Sequence, residues 1–288
     1  MPGSAVGSAA APSAADTASE PSPGVLLHDD KKKALSRVEF FACLVHIAVN
    51  KYVKTKKMPD VSEALRRLLQ HDIEPKLDPR CLSRANPFRR DHCYKRDVCA
   101  VLEEYEPSLR CIFVGVSRAY EKAGTEAKMV SLDEWKGFVR GLDLIGPDLS
   151  DRDANLCFSW SRMCTVDIYS DKGRVRELQL PFEGFLEALV RVSVLKALPT
   201  AEEIERSGCD DADAYLDQLK ANDEEAYQAL LRDRATPWGE EPTTPTFECV
   251  SQLCSIIVRR IEMDSEGADN MELTSREVDN WIARRMKL

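Results

Sequence analysis

The sequence predicts an all-helical protein, and three observations carry that expectation. Apolar residues recur at three- and four-residue intervals along most of the chain, helix-starting residues precede those stripes, and strand-like alternation is scarce. The chain has 288 residues, 43% of them hydrophobic and 31% charged, which is ample apolar material for a core. No apolar run approaches the length needed to span a bilayer, and no basic segment leads into a hydrophobic one near the start. Neither a membrane span nor a secretory signal is expected.

Residues 1–30 are mainly Ala, Ser, Pro and Gly with few large apolar groups. Such a segment cannot bury enough surface to offset the entropy lost on ordering, so a disordered tail is expected there. From Leu35 the pattern becomes amphipathic, with Phe40, Phe41, Leu44, Val45, Ala48 and Val49 at helical spacing. A second helix is predicted after Pro59-Asp60, with Val61, Ala64, Leu65, Leu68 and Leu69 as its stripe. Residues 76–92 are basic and irregular and read as a loop or surface arm.

Periodicity resumes at Val98, and Pro107 opens a further helix, since its missing N–H has no intrahelical partner in a first turn. More helices are predicted from Ser131 to Leu142, Ser150 to Val166 and Pro181 to Ala197. Ser150 and Asp153 have the spacing of a capping box. Thr200 starts another helix, and Asp211 starts one predicted to run to Arg232. The stretch 235–246, with three prolines and a glycine, reads as a linker. Helices over Phe247–Ile261 and Ser275–Met286 follow. The expected organisation is a tail over 1–30, a helical domain over 31–234, and a C-terminal helix-loop-helix over 247–288.

An internal repeat gives these helices a plan. Placing Phe40 over Phe185 aligns Leu35 with Leu180, Leu44 with Leu189, Val45 with Val190 and Val49 with Val194. A weaker copy sets Val130 over Leu180 and Trp135 over Phe185. Each copy has an aliphatic residue and then, at a fixed distance, an aromatic that begins an amphipathic helix. In EF-hands the aliphatic eighth loop position pairs with a second loop, and the aromatic after the twelfth anchors the exiting helix. The expected fold is therefore all-α with EF-hand-like paired helix-loop-helix units.

The calcium ligands are mostly missing. With Val130 eighth, the first, third and fifth positions hold Ala123, Thr125 and Ala127, and only Glu134 remains at the twelfth. In the Leu180 copy these positions hold Gly173, Val175 and Glu177, with Gly184 twelfth, and the segment is too long for a standard loop. The first copy has Lys31 to Lys33 where carboxylates are required. A fourth candidate places Leu273 eighth and Glu277 twelfth, with Asp264, Glu266, Asp269 and Asn270 as further oxygen donors. Its loop is two residues longer than usual. It reads as an acidic helix–helix turn, the alternative being a weak calcium site.

Three stretches also carry a family resemblance: Ser131-Leu-Asp-Glu-Trp to Leu142-Asp-Leu-Ile, Phe158-Ser-Trp-Ser-Arg-Met to Asp167, and Phe182-Glu-Gly-Phe-Leu-Glu-Ala-Leu-Val-Arg. The segment from Ser108 through Val194 resembles the degenerate EF-hand-like proteins of flagellated and ciliated protists. That resemblance implies a helical EF-hand-like fold and a place in assemblies of the cytoskeleton, in the axoneme of a cilium or flagellum. It carries no catalytic residues, and the absence of clean calcium loops departs from a calcium-regulated member.

Charge is uneven. The chain is −9 overall, yet Lys31 to Ala100 holds 17 Lys and Arg against 8 Asp and Glu. Lys51, Lys54, Lys56 and Lys57, with Arg80, Arg84, Arg89, Arg90, Lys95 and Arg96, form a candidate surface for an acidic protein partner such as tubulin. No recognised nucleic-acid module surrounds them, so nucleic acid is not the expected partner.

The ten cysteines include no Cys-x-x-Cys pair and read as reduced thiols of a cytoplasmic protein. Cys81, His92, Cys93 and Cys99 lack the paired spacing of a zinc site. No glycine-rich phosphate loop, Gly-x-Ser-x-Gly or His-Glu-x-x-His motif occurs, so an enzyme is not expected. The function expected is a non-catalytic structural or interaction protein associated with the axoneme or microtubules, without a cofactor. The alternative is a calcium sensor acting through the C-terminal loop.

Overall fold

A computed structural model describes residues 35, 37–77, 85–120, 129–163, 170–264 and 272–286. The described residues are all-helical, apart from one isolated backbone bridge. The tail expected over 1–30 lies outside them. The chain divides into two units, Met1–Glu74 and Pro75–Leu288.

In the first unit, α1 (Arg37–Ala48) continues as a π-helical turn over Val49–Val53, and α2 (Val61–Arg67) continues likewise over Leu68–Ile73. Asp60 starts α2 by accepting a hydrogen bond from the Glu63 amide at 2.8 Å. Ala48, Tyr52, Ala64 and Leu68 make a small core between the two helices. The Tyr52 hydroxyl donates to Asp72, whose carboxylate also pairs with Lys51 at 2.8 Å. The stripe expected on α1 is only partly used, because Phe40 and Phe41 are 51% and 57% exposed. A pair of helices offers one contact seam, and a stripe wider than that seam leaves its edge outside.

The second unit holds α3 (Ala85–Phe88), a π-helical turn (Arg89–Cys93), α4 (Arg96–Glu104), α5 (Glu106–Val116), α6 (Leu132–Gly141), α7 (Asp151–Ser161) and α8 (Asp171–Leu178). It continues with α9 (Phe182–Leu195), α10 (Ala201–Ser207), α11 (Ala212–Asn222), α12 (Glu224–Arg234), α13 (Thr246–Met263) and α14 (Ser275–Arg285). Helix α9 lies at its centre. It is apolar almost all round, and a helix of that kind must be covered on every side. Helices α7 and α13 pack along it. The Phe185 ring meets Phe113, Trp135 and Phe138 at centroid distances of 5.7, 6.0 and 5.6 Å.

Four expectations are corrected here. Part of the loop predicted over 76–92 is helical, and its π-helical turn buries His92 and Cys93. The helix predicted from Asp211 to Arg232 is two helices, because Asp223 leaves helical geometry and its side chain accepts from the Ala226 amide at 2.9 Å. The helix from Ser150 stops at Ser161, where Arg162 turns extended.

The stretch 235–246 does not separate two domains. Its Thr236 amide donates to Leu195 O at 3.1 Å, and Trp238 meets Trp160 at 6.2 Å. Helix α13 then joins the same core. It buries Cys249, Val250, Leu253, Cys254, Ile256, Ile257 and Ile261, more apolar surface than a two-helix unit could cover. Among the described residues no helix is long and apolar enough to cross a membrane.

Candidate functional site

The loops between α5 and α6 and between α7 and α9 meet at one point. Val130 and Leu180, the two aliphatic residues aligned by the repeat, exchange backbone hydrogen bonds in both directions at 2.8 Å and are fully buried. The aromatics that follow them, Trp135 and Phe185, are fully buried in the same core. Ala123, Thr125 and Ala127 lie outside the described residues.

Glu134 follows Val130 at the expected ligand position and is 4% exposed. Its Oε2 accepts from the Ser131 amide and hydroxyl, each at 2.7 Å, while Ser131 Oγ accepts from the Glu134 amide. This is a reciprocal capping box, which satisfies amides that would otherwise be orphaned at the start of α6.

The loop ending at Leu180 holds an extra helix. Gly173, Val175 and Glu177, expected where calcium ligands would alternate, all lie on α8. On that helix Val175 faces away from Gly173 and Glu177, which share a face at i, i+4 spacing, so the three do not converge on one point. Pro181 stands at the start of α9 without a capping side chain. A Cβ placed on Gly184 would stand 3.0 Å from the Ser161 carbonyl oxygen. Backbone from α7 therefore occupies the space a ligand side chain would need.

In the C-terminal candidate, Asp264 ends α13, and its carboxylate accepts from Arg285 at 2.6 and 3.2 Å. The Asp264 carbonyl accepts from Arg284. Glu277 repeats the arrangement of Glu134, its Oε2 accepting from the Thr274 amide and hydroxyl at 2.7 Å each. Glu266, Asp269 and Asn270 lie outside the described residues. Both described donors are thus engaged by protein groups, and among the described residues no cluster of three or more His, Cys, Asp or Glu could hold a metal.

The basic residues divide between the units. Lys51, Lys54, Lys56 and Lys57 are exposed at the end of α1 and in the turn after it. Arg90, Lys95 and Arg96 are exposed in the second unit, with Arg90 paired to Asp91 at 2.7 Å. Arg80 and Arg84 lie outside the described residues.

Arg89 is not a surface contact. Its Nε donates to Glu187 at 2.7 Å and its other nitrogen reaches the Trp160 carbonyl at 3.3 Å. Glu187 also accepts from Arg191 at 2.7 Å, and that guanidinium lies 4.1 Å from the centroid of Phe88. The Glu187–Arg191 pair has helical i, i+4 spacing and could have been proposed from sequence. Nothing in the sequence points Arg89 at it.

Next to this network is a cleft of about 290 Å³ lined by Phe88, His92, Arg191, Trp238 and Glu241 among others. His92 Nδ1 lies 2.8 Å from Thr246 Oγ1. Cys99 Sγ donates weakly to the Cys93 carbonyl at 3.8 Å. Burial pushes the Cys93 thiol up to about 12, which keeps it protonated near neutral pH. Cys81 lies outside the described residues.

No protein-family model, curated protein or solved structure matches the chain.

Proposed function

We infer that the protein is a non-catalytic interaction protein of EF-hand-like plan, with its hands held together by protein contacts in place of calcium. The observation that carries this reading is the mutual Val130–Leu180 backbone pair between two helix-flanked loops. The Glu134 and Glu277 capping boxes support it, since each uses a would-be ligand carboxylate to start a helix. The exposed Lys51, Lys54, Lys56 and Lys57 supply the contact to an acidic protein surface. Tubulin within the axoneme is the partner this reading names.

Co-sedimentation with microtubules across a salt series tests it. Binding is expected at low ionic strength and should fall steeply towards about 0.5 M salt, where charges are screened within a few ångström. Joint Lys54→Glu and Lys57→Glu replacement should weaken it several-fold. No pelleting at low salt rejects the microtubule partner.

Calcium is tested separately by titration calorimetry of the full chain. No binding heat is expected up to millimolar calcium, because Asp264 would have to leave Arg285 and Glu277 its cap. Saturable heat would favour the sensor reading through Asp264, Glu266, Asp269, Asn270 and Glu277.

A further inference from the structure

The cleft of about 290 Å³ beside the Arg89–Glu187–Arg191 network combines apolar and charged surface. Phe88, Val194, Leu195 and Trp238 supply the apolar part, and Arg191 lines the same space. Both rings are held in place. Phe88 meets the His92 ring at a centroid distance of 4.6 Å and the Arg191 guanidinium at 4.1 Å, while Trp238 packs against Trp160 at 6.2 Å. His92 is in turn fixed by Thr246 Oγ1, 2.8 Å from its Nδ1. Walls already fixed in this way lose little freedom when a ligand enters.

The buried charge here is unbalanced. Arg191 is 4% exposed, and its Nε and Nη2 both donate to Glu187 Oε1, at 3.1 and 2.7 Å. Arg89 Nε donates to the other oxygen of the same carboxylate at 2.7 Å. One carboxylate thus answers two guanidiniums, and Arg191 Nη1 has no hydrogen-bond partner among the described residues. A desolvated guanidinium with a donor to spare gains more from an added anion than an exposed one does, and its planar fork matches a carboxylate. The acidic residues around the cleft do not fill this role. Asp91 is paired with Arg90 at 2.7 Å, Glu240 is exposed, and the Glu241 side chain is 85% exposed, where solvent and salt screen it.

We propose that this cleft is a binding site for a small organic carboxylate, its anionic head on Arg191 and its flat apolar body against Phe88 and Trp238. The volume lies at the lower end of ordinary small-ligand sites, which fits a body of one or two rings. Neither the exposed lysines nor the C-terminal loop takes part, so negative microtubule or calcium experiments leave this site untouched.

Three probes of similar shape and different charge test this by titration calorimetry on the full chain: naphthylacetate, naphthylacetamide and naphthylethylamine. The acid is expected to bind about tenfold more tightly than the amide, and the amine more weakly than either. Arg191→Lys keeps a positive charge beside Glu187 but gives up the spare planar donor. It should weaken the acid about fivefold and leave the amide unchanged.

Trp238→Ala removes a half-buried wall outside the ion network and should weaken acid and amide alike, which keeps the test open if Arg191→Lys folds poorly by circular dichroism. No binding of the acid up to about 5 mM, equal affinity for acid and amide, or tighter binding of the amine overturns the proposal. So does undiminished binding of the acid by folded Trp238→Ala.

Discussion

Trp135→Ala is expected to destabilise the second unit by about 3–5 kcal/mol, the range for deleting a large buried aromatic. Trp135 is fully buried, with ring centroids 6.1 Å from Phe138 and 6.0 Å from Phe185. Its indole N–H also donates to the Ala154 carbonyl at 2.9 Å, joining α6 to α7. Truncation opens a cavity beside α9 and removes the indole's hydrogen bond between α6 and α7.

Trp135→Phe separates the two losses, because it keeps a ring but not the N–H. Its cost should be nearer the roughly 0.5–1.5 kcal/mol of one hydrogen bond, because the Ala154 carbonyl lies inside α7 and keeps its place in the helical ladder. Urea denaturation followed by far-ultraviolet circular dichroism measures both. A cost below about 1 kcal/mol for Trp135→Ala would show that this core is not packed as described.

Glu187→Ala should be comparably damaging, at about 3–5 kcal/mol, for an electrostatic reason. The Glu187 side chain is 10% exposed and holds Arg191 at 4% and Arg89 at 22%. Removing it leaves a buried guanidinium with no carboxylate, and desolvation makes an uncompensated buried charge far costlier than an exposed one. Glu187→Gln retains an acceptor for one donor and should cost less.

An exposed pair supplies the contrast. Glu106→Ala breaks a bond to Arg110 at 2.7 Å, yet both side chains are more than 40% exposed, so the change should stay within about 1 kcal/mol. Equal effects of the two alanine replacements in urea titrations would contradict this assignment.

Both residues illustrate what could be read in advance. Trp135 was legible as a core anchor, because its role follows from periodicity on one helix and from its place in the repeat. Val130 and Leu180 were legible as partners for the same reason. Glu187 was legible only as the i, i+4 partner of Arg191; its second partner, Arg89, is 98 positions away in the chain. Arg89 itself was read as surface charge, because a basic residue among other basic residues carries no local mark of a buried acceptor.

The break at Asp223 was missed although its signal was present. Asp is a helix-starting residue, but the apolar residues on either side of it, Leu216 and Leu219 before and Tyr227 and Leu230 after, read as one helix. The candidate calcium loop divides in the same way. Its acidic composition was visible, whereas the engagement of Asp264 by Arg285 depends on α14 folding back against the end of α13.

Short-range physics accounts for the legible part: helix period, caps, prolines and the aliphatic-to-aromatic spacing act within one or two turns. From these came the all-helical class and most helix starts. Packing alone settled the rest. It exposed Phe40 and Phe41 on α1, buried Arg89 beside Glu187, merged α13 into the main core, and gave Gly115 and Gly141 their meaning as the points where α14 comes close. Burial and charge pairing belong to contacts between distant segments, and outside the repeat that pairs Val130 with Leu180 no local pattern specifies which segments will meet.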